Sequence, residues 1–86
     1  MNINELIAIV KKKIQNNFVI EKITIHDKSF LHKSHPGNQI GKFHLKIDIN
    51  SIELKKLDKI ESTKRIYKVL NQELKEHIHS IQILIS

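Results

Sequence analysis

At 86 residues the chain has the length of one domain spanning 1–86, because burial at this size reaches only about 60–65% of the unfolded surface, too little to divide into two cores or to enclose a deep cleft. The absence of cysteine excludes disulfides, thiol nucleophiles and thiolate metal sites within the chain, so any metal ligand has to be histidine or carboxylate. The formal charge of +6 comes almost wholly from lysine, with Arg65 the single arginine, which leaves weak, nonspecific attraction to nucleic acid rather than bidentate phosphate or base recognition.

Asn2 and Asn4 can each cap a first helix, and Glu5 stands three residues after Asn2 in a capping-box arrangement. Ile3, Leu6, Ile7, Val10 and Ile14 then recur at helical spacing, which predicts an amphipathic helix over 3–16. The amino terminus has neither the charged start nor the apolar core of a signal peptide, and no run approaches the ~20 apolar residues of a membrane span, so a cytoplasmic location is expected. Phe18 to Asp27 reads as a strand, with His26 on its polar phase.

From Lys28 to Gly41 periodicity lapses into turn chemistry around Ser29, His32, Ser34, His35, Pro36 and Gly37. A loop of this length in a small domain is a natural place for function. Phe43, Leu45, Ile47 and Ile49 alternate with His44, Lys46, Asp48 and Asn50, predicting a strand with one buried and one wet face. Leu54, Leu57 and Ile60 fit a short helix. Ser62 or Thr63 can cap a longer one with a buried stripe of Ile66, Tyr67, Leu70 and Leu74. A last strand carries His79, Ile81, Ile83 and Ile85 in one phase. The predicted order is αββααβ, an α+β fold with helices on one face of a three-stranded sheet.

Six histidines exceed the needs of packing in so short a chain, and with cysteine excluded they are the natural ligands. His26 and His44 fall on the polar phases of their strands and read as surface residues. His77, near a helix end, suits the macrodipole as a cation. His79 is in phase with the buried isoleucines, so spacing alone points it inward, where a structural role is the plainer one. His32 and His35 reach it only if the loop folds across the sheet end. There is no glycine-rich phosphate loop, no Gly-x-x-Gly backbone clamp and no His-Glu-x-x-His signature. Nothing in the spacing brings a serine such as Ser29 or Ser34 together with a histidine base, and no enzyme is expected.

Three stretches, DKSFLHKSHPG in the loop, FHLKIDINS in the second strand and IYKVLNQELKEHIHSIQI at the end, resemble the BolA family in order and spacing. His44-Leu45-Lys46-Ile47 echoes the family's Ser-His-Phe-x-Val-like strand, and the family's characteristic histidine, twelve residues after the helical tyrosine, falls at His79 relative to Tyr67. The resemblance implies a fold similar to the class II KH arrangement. It also implies binding to a monothiol glutaredoxin and a shared [2Fe–2S] cluster, for which the partner gives a cysteine and a glutathione thiolate. On this side His79 is the implied first ligand and His32 the second, with His35 the weaker alternative. Two imidazoles on one iron raise its potential relative to all-thiolate clusters and make the site sensitive to pH.

The resemblance assigns partner contact to Tyr67, Lys64 and Arg65, and implies a monomer or weak homodimer in the free state. The family's Arg-His-Arg at the head of the long helix is absent, and Ser62, Thr63 and Lys64 stand in its place. A nucleic-acid-binding regulator is the second reading, resting on the KH-like topology and the positive charge.

Overall fold

The computed structural model describes residues 1–29 and 42–86. Helix α1 (Ile3–Asn17) is followed by strands β1 (Lys22–Asp27) and β2 (Phe43–Asn50), helices α2 (Ile52–Lys55), α3 (Lys59–Val69) and α4 (Asn71–Glu76), and strand β3 (Ile78–Ile85). This is the expected αββααβ path, with the long helix divided in two. The sheet order is β1-β2-β3. β1 runs antiparallel to β2, with Ile23 opposite Ile49 and His26 opposite Lys46. β3 runs parallel to β2, with Ile47 opposite Ile83, so the helices form the crossover that parallel neighbours require.

The core follows from two periodicities meeting. Leu6, Val10 and Ile14 of α1 are wholly buried, and each contributes about 1.5–3 kcal/mol by leaving water. They pack with Ile23, Leu45, Ile47 and Ile49 from one sheet face and with Leu54, Ile66, Leu70 and Ile78. The Asn2 carboxamide accepts from the Glu5 amide at 2.8 Å while its Nδ2 donates to Glu5 Oε1 at 2.8 Å. The capping box is thus closed through the asparagine side chain rather than its backbone N–H.

Four local expectations are corrected. β1 starts at Lys22 rather than Phe18, because the Val19 backbone bonds to the side chains of Glu53 and Ser51 at the start of α2 instead of to a strand. The α3 cap is Asp58, whose carboxylate accepts from the Glu61 amide at 2.8 Å; Ser62 lies inside the helix, buried, with its hydroxyl donated back to the Lys59 carbonyl. Ile60 belongs to α3 and is 75% exposed, and Tyr67 is 41% exposed, so neither joins the buried stripe. Leu70 is the fourth case. It stands between α3 and α4 with φ −97° and ψ 14°, yet its amide still bonds to Ile66 and its carbonyl to Leu74, so the helical path bends at a buried leucine without losing those bonds.

Candidate functional site

The pairing of β2 with β3 changes step at one point. Phe43 faces Ile78, but the next residue, His44, faces Ser80. His79 is therefore an extra residue with no opposite number, a bulge at the first turn of the strand. Counting by twos back from Ile85 puts His79 on the core face; the bulge moves Ile78 into that place and turns His79 out. The inward orientation expected for His79 is overturned, and the residue is exposed. Its ring stacks on that of His44, with centroids 4.8 Å apart and planes inclined at 28°.

His44 is the residue that sequence reasoning undervalued. It lies on the outer phase of β2, as expected, but it is 5% exposed rather than a surface side chain. Ser80 Oγ lies 2.6 Å from its Nδ1, its amide donates to Ser29 Oγ at 3.1 Å, and its carbonyl accepts from Lys28 at 2.7 Å. A serine and a histidine are thus brought together after all, through Ser80, across the parallel β2–β3 pairing. The signal in the sequence was the eight-residue alternation from Phe43, which fixes His44 on the helix-free face; the bulge that brings His79 to it left no trace there.

Stacking occupies a face of the His79 ring and leaves its nitrogens at the edge, which is where a metal ion bonds an imidazole. Among the described residues neither nitrogen of His79 has a hydrogen-bond partner, and no group of three or more histidine, cysteine, aspartate or glutamate side chains is arranged to hold a metal ion. The arrangement is that of a donor held ready rather than a complete coordination sphere. The expected second ligands, His32 and His35, lie outside the described residues. Both flanks of that segment are fastened to this end of the sheet: Ser29 and Lys28 to His44, and the Phe43 amide to the His77 carbonyl at 2.9 Å.

The remaining candidates lie apart from this pair. His26 Nε2 is 3.0 Å from Asp48 Oδ2 on the outer face of the sheet, half exposed. His77 caps α4 and is 3.6 Å from Glu76. Lys64, Arg65 and Tyr67 all border one shallow depression on α3, where Arg65 also pairs with Glu61 at 3.1 Å. No helix among the described residues is long and apolar enough to cross a membrane.

Residues 14–86 match the family described as BolA-like protein. The chain is 35% identical over 75 residues to a protein of Haemophilus influenzae named DNA-binding transcriptional regulator BolA, a match that covers 87% of this chain and 70% of the relative. Among solved structures it is similar to the BolA domain of SufE1 from Arabidopsis thaliana, with a TM-score of 0.78 at 20% identity over all of this chain and 93% of that one. It is also similar to BolA1 from Arabidopsis thaliana, with a TM-score of 0.75 at 21% identity over 92% and 87% of the two chains. At these identities the two structures speak for the fold.

Proposed function

We propose that this chain, which belongs to the BolA-like family, is an adaptor that binds a monothiol glutaredoxin and co-ligates a [2Fe–2S] cluster as shared cargo, in iron–sulfur trafficking or iron and redox regulation. His79 is one ligand. His32 is the second, with His35 the weaker alternative, and Lys64, Arg65 and Tyr67 form contacts with the partner. The observation that carries this reading is the bulge that turns His79 outward and sets its ring against His44.

The donor set suits half of such a site. The chain offers imidazole and no sulfur, whereas clusters of this type are held mainly by thiolates, so the partner and its glutathione have to supply the rest. When bound, the cluster supplies one-electron chemistry or is itself passed on. This chain's residues do the holding: His44 braces the His79 ring and Ser80 fixes His44. Because His79 is exposed and sits in a bulge, His79→Ala should leave the fold intact.

The test is to mix the protein with cluster-loaded glutaredoxin and glutathione and record visible absorption and circular dichroism. The expected result is a spectrum distinct from that of glutaredoxin alone, lost or altered in His79→Ala and in His32→Ala. Spectra unchanged by His79→Ala would overturn the ligand assignment. The second reading, a nucleic-acid-binding regulator, is favoured by the name of the Haemophilus influenzae relative. It requires affinity that falls with salt yet still discriminates between sequences at physiological ionic strength; binding erased by salt without discrimination counts against it.

A further inference from the structure

The two outer strands of the sheet are unequally protected. β1 carries Lys22, His26 and Asp27, with Lys28 just beyond it. β3 reads Ile-His-Ser-Ile-Gln-Ile-Leu-Ile, eight residues without a lysine, arginine, carboxylate or proline, and among the described residues it pairs only with β2. Charges and prolines are what normally keep an edge strand from recruiting another strand. β3 has none.

Backbone polarity along this edge follows from its end. The Ser86 amide donates to the Ile49 carbonyl at 2.8 Å and its carbonyl accepts from the Ser51 amide at 3.1 Å, so both polar groups of Ser86 face β2. In a parallel pair the facing alternates residue by residue. The N–H and C=O of Ile81, Ile83 and Ile85 therefore point away from β2, toward the free edge.

A groove of 240 Å³ runs against this same edge. Ile83, Leu84 and Ile85 all line it, and three successive residues of a strand, whose side chains alternate between faces, can share one groove only if it lies along the strand's edge. Leu54 and Leu57 supply apolar wall from the helix side, and Lys55 and Lys59 border it. The acidic side chains of that turn are already engaged: Asp58 caps α3 and Glu53 accepts from Val19. The groove thus has leucine and isoleucine walls with the Ser62 and Thr63 side chains among them, and a cationic rim.

We infer that the β3 edge and this groove form a docking site for an extended acidic segment of a partner protein, which adds as a fourth strand beside Ile81–Ile85. Its backbone bonds the free polar groups of β3, its alternate apolar side chains enter the groove, and its carboxylates meet Lys55 and Lys59. Charge selects this occupant over a second copy of the chain, because two copies each carrying +6 repel. The groove is set apart from His79, which lies about 16 Å back along the strand from Leu84 at the usual rise per residue, while the paired stretch begins at Ile81, two residues beyond His79.

The probe is a short synthetic peptide alternating Val and Glu, titrated into the full-length isotopically labelled chain, with amide hydrogen exchange read residue by residue. The expected result is protection of the Ile81, Ile83 and Ile85 amides by about tenfold or more on binding. Replacing both rim lysines, Lys55→Glu with Lys59→Glu, should weaken the Val–Glu peptide about tenfold or more and admit a Val–Lys peptide in its place. His79→Ala should leave the affinity unchanged, which separates this site from the cluster reading. Binding that leaves those three amides unprotected, or that ignores the charge reversal, overturns the inference. So does protection that grows with protein concentration alone, which would mark a second copy, or a groove that answers to a single-stranded oligonucleotide and not to the peptide.

Discussion

Glu73 is a buried carboxylate whose two oxygens are unequally served. Oε2 accepts from Lys13 Nζ at 2.7 Å, while Oε1 has no partner among the described residues. Burying an ion pair costs desolvation that the pairing offsets only when every oxygen is satisfied. Glu73→Leu is therefore expected to leave stability unchanged or raise it. Lys13→Met alone is expected to lower it by about 1–2 kcal/mol, discounted from a fully buried pair because Lys13 is a third exposed. Urea denaturation of the single and double variants measures both; a large loss in Glu73→Leu would contradict the sign. Neither this pair nor the His44–His79 stack could be read from the chain, since each joins residues far apart in sequence. What could be read was narrower: the phase of His44 from its strand, and His79 as a residue of interest from the resemblance. Its direction could not, because a bulge depends on pairing with a neighbour and this one has no glycine to mark it.

Asp58 at the start of α3 supports a contrast that tests which residue begins the helix. Asp58→Ala removes the acceptor for the Glu61 amide and should cost about 1 kcal/mol. Ser62→Ala should be close to neutral, because its hydroxyl only bonds back to a carbonyl of its own helix. Thermal unfolding of the two variants decides between them, and equal losses would restore Ser62 as the cap. The helix that follows was legible as one long stripe, since Ile66, Leu70 and Leu74 keep helical spacing through the bend. The bend itself was not, because Leu70 is a good helix former and no proline or glycine marks the place. β2 was legible in its bounds and phase, though not in the burial of His44, because alternation with one buried face is a strong local signal, whereas the residues before β1 have strand-like composition but are claimed by Glu53 and Ser51.

At the scale of the whole molecule β2 is, among the described residues, the one strand with a neighbour on each side. Its amides should exchange with solvent most slowly, near the rate set by global unfolding, and those of β1 faster. An exchange profile in which β1 outlasts β2 would contradict this order. The same strand gives its inner face to the core and its outer face to His44, so the site and the core share one register. Their joint assembly depends on contacts between distant parts of the chain: His44 and Ser80 are 36 positions apart. A ribosome delivers the chain from its amino end, and while Ile78–Ile85 is still in the exit tunnel there is no parallel strand, no bulge and no stacked pair. The stacked histidine pair exists only once that strand has emerged and docked, so it is a property of the finished fold and of no earlier stage of the chain.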